Sequence, residues 1–268
     1  MAQKLTAIVH GSGYAGKGHA EALRDAGVEV IGMVSRNPEV VKAVALEMKI
    51  PFAGTDWKAA LSELNPDIVA LGTPGGAHYH ALLAAIEAGC HIYCEKPLAG
   101  TLAATAAILA ACTRAKIKVG VAHQGRGMPV SQRLIEEVNA GAYGRLLRLR
   151  ARPKDDSRGG GEELLLHGTH LFDLMMAFAG PPRWASGHIL VDNRDATRAD
   201  AGQGNTPVGP ITGNSIAATF GFDKGTRAYF EATAGLASPE APHYDTLYGL
   251  ALECEKATLE LREPGDAY

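Results

Sequence analysis

Short apolar runs separated by helix-length segments set the pattern of the first 122 residues. The runs at 5–9, 28–34, 68–71, 92–94 and 119–122 are apolar on both sides, as strands buried in a parallel sheet are. Between them the spacing predicts helices over 16–26, 38–48, 77–88 and 102–115, the last rich in Ala and Leu, and Gly27 and Gly89 stand where two of these should stop. Beyond residue 122 the pattern changes. A helix is predicted over 129–139, a strand over 146–151, a loop around Gly159-Gly160-Gly161 and an amphipathic helix over 165–179. The stretches 189–191, 215–222, 227–233, 246–252 and 257–261 alternate apolar with polar residues or read as hairpin partners, as antiparallel strands do, and 193–213 reads as a long, Gly-rich, mobile loop. The expected class is α/β: a doubly wound parallel sheet over 1–122, then an α+β domain over 123–268 whose open sheet is mainly antiparallel.

Composition narrows the partners. With 268 residues, 46% hydrophobic and 21% charged, the chain is long enough for two cores. A net charge of -3 without clustered Lys and Arg speaks against nucleic acid. The first residues lack the apolar core of a secretory signal, and no run of about 18 apolar residues could cross a bilayer, so the cytoplasm is the expected location. Cys90, Cys94, Cys112 and Cys254 show no Cys-x-x-Cys spacing and read as free thiols, and His, Asp and Cys nowhere gather at metal-ligand spacing.

Chemistry concentrates at predicted strand ends. Gly11-Ser12-Gly13-Tyr14-Ala15-Gly16 follows the first strand and opens a helix. Gly11 permits a tight turn, Gly13 a close backbone approach to a pyrophosphate, and Gly16 close packing of helix on strand, with the helix N-terminus turned to the phosphates. At the end of the second strand an acid would grip the ribose of NAD, but Ser35-Arg36 offers a hydroxyl and a guanidinium for a 2′-phosphate. NADP is therefore favoured over NAD. Glu95-Lys96-Pro97-Leu98 places a lysine at another strand end, and His123 and Gln124 end the last strand of the first domain, at the carboxyl edge where ligands bind in open α/β sheets.

These motifs, with Thr73-Pro74 followed by His78, with Arg126-x-x-Pro129, and with Gly168-Thr169-His170-x-x-Asp173, occur in the order seen in the Gfo/Idh/MocA oxidoreductase family, which the chain resembles over most of its length. The resemblance implies a Rossmann domain and an α/β domain whose open sheet forms a dimer or tetramer face, with NAD(P)-dependent hydride transfer on sugars, polyols or related compounds. It implies that Lys96 holds the reacting oxygen and His170 acts as general acid or base, with Asp173 orienting or structural. It puts Thr73, Pro74, His78, Glu95 and Lys96 itself beside the cofactor and Arg126 near the substrate. Family members are commonly longer, so either the protein is trimmed or residues at its C-terminus are absent.

One position departs from that pattern. Many family dehydrogenases carry Asp four residues before the histidine, where this chain has Leu166, followed by His167. Either His167 takes over the part, or Asp155 or Asp156 of the polar segment 152–161 does, or the chemistry differs; that segment, with Lys154, is expected to be flexible and to line a sugar pocket. Three functions follow in order: a dehydrogenase acting on a carbinol, a redox-neutral enzyme that oxidises a sugar only transiently to permit elimination, and a non-catalytic NADP sensor.

Overall fold

The two-sided apolar runs become the parallel strands of a single sheet. In the computed structural model, which describes residues 4–236, 248–262 and 266–267, the chain divides into two compact units, Met1–Ala122 and His123–Tyr268. In the first, β1 (Thr6–His10), β2 (Glu29–Val34), β3 (Phe52–Gly54), β4 (Ile68–Leu71), β5 (His91–Cys94) and β6 (Val119–Val121) lie in the order β3-β2-β1-β4-β5-β6. Every pairing is parallel. The connecting helices are α1 (Tyr14–Asp25), α2 (Pro38–Glu47), α3 (Trp57–Leu64), α4 (His78–Glu87) and α5 (Leu102–Ala115).

Period-2 alternation divides the strands between two cores. Val9, Met33 and Ala70 pack with Ala20 of α1 and Val41, Val44 and Ala45 of α2, while Ile8, Leu71 and Ile92 pack with Leu61, Leu82, Ile86 and Ile108 of α3, α4 and α5. Each such aliphatic burial stabilises the unit by roughly 1.5–3 kcal/mol relative to an exposed side chain. Helix starts are set by side chains. Asn37 Oδ1 accepts from the Glu39 and Val40 amides at 3.0 and 3.1 Å, with Pro38 at the first helical position, and Asp56 Oδ1 accepts from Lys58 and Ala59, both at 3.0 Å. The sequence reading lacked β3 and α3, a three-residue edge strand after Pro51 and an eight-residue helix, both too short to show a period.

The second unit holds α6 (Gln124–Gly127), α7 (Pro129–Asn139), β7 (Leu146–Arg152) and a helical run made of α8 (Gly161–Glu163), a π-helical stretch (Leu164–Gly168) and α9 (Thr169–Ala179). The strands β8 (Trp184–Val191), β9 (Arg194–Asp195), β10 (Gly202–Gln203), β11 (Pro210–Ile211), β12 (Ser215–Gly221), β13 (Arg227–Thr233), β14 (Gly249–Cys254), β15 (Thr258–Arg262) and β16 (Asp266–Ala267) follow. All but β10 and β11, which pair with each other, form an eight-stranded sheet in the order β16-β15-β14-β7-β13-β12-β8-β9. One pairing, β7 with β13, is parallel and the others are antiparallel.

Alternation again decides which face is covered. Leu149, Ala151, Ala228, Phe230, Ala232, Leu250 and Leu252 pack beneath Leu134 and Val138 of α7 and Leu171, Leu174, Met175 and Phe178 of α9. On the opposite face Arg148 and Arg150 reach Glu253 at 2.9 and 2.6 Å, and the Arg227 guanidinium lies 4.8 Å from the Trp184 ring centre. Two expectations need correction. The stretch 193–213 is built, with β9 to β11, a 3₁₀ turn at Arg198–Asp200 and a capping box between Thr197 and Asp200, because short polar turns satisfy its backbone locally. The strand at 189–191 begins at Trp184, and that expected over 246–252 is β14, with residues 246 and 247 outside the described residues. Among the described residues no helix is long and apolar enough to cross a membrane.

At the end of β1 the His10 ring stacks on Trp57 with centres 5.8 Å apart. Burial, with the nearby His78 adding to it, holds its imidazole down at about 4, against 6.5 for the free group. The folded value is depressed, so on acidification the unfolded chain takes up this proton first, and stability is lost as pH falls from 6.5 toward 4. The contribution is about 3 kcal/mol over that window. Denaturant unfolding of wild type and His10→Asn at pH 7 and pH 4.5 should show the gap between them shifting in the variant's favour at the lower pH; a gap independent of pH contradicts the assignment.

Candidate functional site

In the first unit the chemistry-bearing residues leave the sheet at one edge. The glycine turn follows β1, Ser35 and Arg36 follow β2, Thr73 and Pro74 follow β4, and Glu95 and Lys96 follow β5, all at carboxyl ends, and chain order reverses between β1 and β4. Parallel sheets of this order bind ligands at that switch point. Backbone there is packed to contact. Gly11 has φ +118°, a Cβ on Gly16 would stand 1.9 Å from the Gly11 carbonyl oxygen, and one on Gly72 would stand 2.6 Å from the Gly16 nitrogen. The amides of Gly11 and Gly72 are held by Val34 and His10 carbonyls, each at 2.8 Å.

The turn is also open where an anion would enter. Gly13 caps α1 without a side-chain hydrogen bond, no acidic residue occupies the first turn, and nothing lies within 4 Å of where a Gly13 Cβ would point. The first amides of α1 therefore keep their donors and the positive end of the helix dipole. Tyr14 is 98% exposed, with Ala15 beside it. Ser12 Oγ donates to Ser35 Oγ at 2.9 Å, tying the turn to the end of β2, and Arg36 is exposed, with no ion pair among the described residues.

A buried histidine ties the next two loops together. The His78 ring nitrogens stand 2.7 Å from the Thr73 carbonyl and 3.0 Å from that of Pro97, and Cys94 Sγ lies 3.4 Å from Nδ1. At 0% exposure the ring offers no surface to a ligand, so His78 supports these loops from beneath, a correction to its expected place beside the cofactor. Thr73 Oγ1, by contrast, is buried without a hydrogen-bond partner, which leaves it ready for one. Glu95 is flanked by His19 Nε2 at 3.3 Å and accepts from the Lys96 amide at 3.3 Å. Burial pushes its carboxyl up, but His19 and the positive Lys96 outweigh that and hold it below its usual range, so it stays ionised beside the lysine.

The second unit presents two histidine centres on one helical run. His170, on α9, meets the His123 ring edge-on at 5.4 Å. His123 Nδ1 lies 3.9 Å from Asp173, and Gln124 starts the turn α6. Arg126 grips Asp173 through Nε at 2.7 Å and Nη2 at 2.8 Å, and Nη2 also reaches the Asp173 carbonyl at 2.7 Å. This fork commits Arg126 to joining α6 and α9, rather than to the substrate contact expected of it.

The other centre is built on two adjacent buried acids that sequence reasoning passed over. Glu162 accepts from the amides of Asn205 and Thr206 at 2.9 and 2.8 Å and from the Thr206 hydroxyl at 2.5 Å. Burial pushes this carboxyl up, and those donors bring it below the ordinary range. Glu163 binds the His167 ring at Nδ1 and accepts from the Lys154 amide at 3.1 Å. The ring of His167 lies edge-on to Tyr248 at 5.4 Å, and Lys154 Nζ stands 5.4 Å from the same Tyr248 ring.

Asp155, expected in the pocket, is nearly buried and instead accepts from the Thr233 amide at 2.7 Å and Arg152 at 3.1 Å. Asp156 is held by Arg158 at 2.6 Å. Nor is the glycine triplet a flexible stretch: a Cβ on Gly159, Gly160 or Gly161 would lie 2.2 to 2.6 Å from the backbone of Ala234, Asn214 or Thr212. A signal for Glu163 did exist, since Glu163-x-x-x-His167 is an i,i+4 pair on a helix. Gly72 carried a weaker one, a glycine at a strand end.

The residues of the first unit fit a dinucleotide: an uncapped helix N-terminus, an open space at Gly13, and a buried hydroxyl on Thr73 without a partner. Comparison with known proteins points the same way. The family described as "Oxidoreductase family, NAD-binding Rossmann fold" matches residues 5–123. A 4-carboxy-2-hydroxymuconate-6-semialdehyde dehydrogenase of a Sphingobium species is 31% identical over 132 residues, 49% of this chain and 42% of that one. A D-xylose 1-dehydrogenase (NADP(+)) of Haloferax volcanii is 34% identical over 110 residues, 41% of this chain and 34% of its own. The matches thus span less than half the length of these curated relatives. Among solved structures, an NAD binding oxidoreductase from Klebsiella pneumoniae has the same fold, with a TM-score of 0.77 at 21% identity over 97% of this chain and 73% of that one.

The contact between Gly16 and the Gly11 carbonyl gives a direct test. Gly16→Ala should destabilise the protein by about 1–3 kcal/mol through overpacking and weaken dinucleotide binding at least about tenfold. Thermal unfolding and calorimetric titration measure the two effects; unchanged binding would show that the turn does not form the cradle.

Proposed function

We infer that this chain, whose residues 5–123 match the family described as NAD-binding Rossmann-fold oxidoreductases, is a Gfo/Idh/MocA enzyme that transfers a hydride between a nicotinamide dinucleotide and a hydroxyl-bearing carbon of a sugar, polyol or related compound. The observation that carries this reading is the exit of the glycine turn and of Lys96 from the same edge of one parallel sheet. The glycine-turn amides and the N-terminus of α1 hold the diphosphate, and Ser35 and Arg36 take a 2′-phosphate, which makes NADP the preferred cofactor. When bound, the dinucleotide supplies or accepts the hydride. Lys96 holds the substrate oxygen and stabilises the charge that develops on it, with Glu95 keeping the local charge balanced. His170 stands at the position of the family's acid–base histidine, and His123 and Gln124 serve the substrate side.

The first unit serves as the dinucleotide domain and the second as the substrate and assembly domain. In the second, the sheet face opposite the helices exposes Trp184, and through it we expect a homodimer or homotetramer. The cytoplasm, with its nicotinamide pools, is the location this chemistry calls for. Leu166, where many family dehydrogenases carry Asp, keeps a redox-neutral elimination in view as the second reading.

Calorimetric titration of cofactor-stripped protein with NADP⁺ and NAD⁺, followed by a nicotinamide absorbance assay over a panel of sugars and polyols, tests the reading. NADP⁺ should bind about tenfold tighter than NAD⁺, a difference of about 1.4 kcal/mol, and Arg36→Ala should erase that preference. Lys96→Ala should lower kcat by about 10²–10⁴-fold while leaving the dinucleotide Kd within about twofold. Cofactor that binds tightly and is never reduced in net terms would move the assignment to the redox-neutral enzyme.

A further inference from the structure

We propose that the Glu163–His167 pair is the acid–base device of this site, with His167 Nε2 as the acceptor of the substrate hydroxyl proton and Glu163 as the residue that positions the ring; this rests on the hydride-transfer reading above. Glu163 is 0% exposed, while the His167 side chain keeps 21% of its surface open. A carboxylate against Nδ1 admits a single arrangement of a neutral ring: Nδ1 carries the proton and donates it, so Nε2 carries the free lone pair. Catalytic imidazoles backed by a carboxylate are fixed in the same way, and the carboxylate stabilises the imidazolium that forms.

The fold goes to some length to hold this pair. A carboxylate deep in an apolar core is costly, and Glu163 Oε2 is buried with no hydrogen-bond partner among the described residues. The pair spans the π-helical stretch, a rare geometry found often at functional sites, and Gly168 lets the run lie against Phe230, whose ring would be 3.1 Å from a Cβ there. The groups facing His167 are Glu163, Asp156 and Lys154 from the preceding loop, and Tyr248 before β14.

The step balances simply. As the C–H bond breaks and its electron pair leaves as hydride to an oxidised nicotinamide, the O–H bond breaks, its proton passes to His167 Nε2 and the carbonyl double bond forms. In the reducing direction the imidazolium returns the proton.

Two measurements test this, one of them independent of turnover. In cofactor-free protein, two-bond ¹H–¹⁵N correlations of the histidine rings should show His167 as the Nδ1–H tautomer with a downfield Nδ1 proton, lost in Glu163→Gln; an Nε2–H ring, or a signal unmoved in that variant, overturns the proposal. With a polyol that the wild type oxidises, His167→Ala should lower kcat on the order of 10²–10⁴-fold and regain at least about tenfold with added imidazole, and Glu163→Gln should lower kcat on the order of 10²-fold with KM within about threefold. Full activity of His167→Ala, or loss without imidazole rescue while His170→Ala is the one rescued, overturns it. Should Glu163→Gln not fold, the rescue of His167→Ala decides alone. Should the wild type oxidise no polyol, the hydride-transfer reading fails by itself and the ring tautomer still decides the pair.

Discussion

Two charges taken out of water govern the second unit. Glu162 and Glu163 are neighbours in sequence, both buried, and each must find donors to offset its desolvation. Their donors come from different directions: Glu162 draws in Asn205 and Thr206, and Glu163 draws in the Lys154 amide and the His167 ring. Two loops remote in sequence are thereby pinned to the start of one helical run. The close passage of Gly159, Gly160 and Gly161 under the ends of the sheet brings the acids there, since no side chain could follow that path. Packing, charge and loop position in this region form one connected problem.

The first unit reaches its ends by the opposite means. Its edge is made of backbone approached closely enough that three glycines touch, and its helix N-terminus carries no side-chain cap among the described residues. Where side chains do enter, they brace loops: His78 joins the turns after β4 and β5, and Ser12 meets Ser35 across the ends of β1 and β2. Such an edge serves a ligand common to many reactions, because it recognises phosphate and dipole rather than a particular carbon skeleton. In the function proposed above, discrimination among substrates falls to side-chain chemistry of the kind that crowds the second unit.

Much of this was legible in the sequence, and the limits have physical causes. Helices α5 and α7 and strands β4 and β13 were readable to the residue, because long periodic or wholly apolar stretches leave little choice of structure. β3 and α3 were not, being too short for a period. The glycine turn was visible because its geometry depends on local spacing, and Lys96 and His170 could be named as candidates from their local motifs. The partners of Arg126, Asp155 and Glu163 were not, because they depend on which chain segments meet in three dimensions, and a charged side chain reads as exposed until its donors are known. Polar segments suffered most: 152–161 and 193–213 looked loose on composition, yet both are fastened by buried carboxylates and short turns.

The π-helical stretch at Leu164–Gly168 gives the second unit an unusual kind of adjustability. A π turn holds one residue more than an α turn, so it takes up an added residue within the turn and leaves the helix on either side in nearly its original rotation. The side chains on either side of the turn then keep their neighbours although the chain between them differs in length. Over this segment, divergence is counted in length before it is counted in letters, and alignment by identity alone pairs residues that occupy different faces.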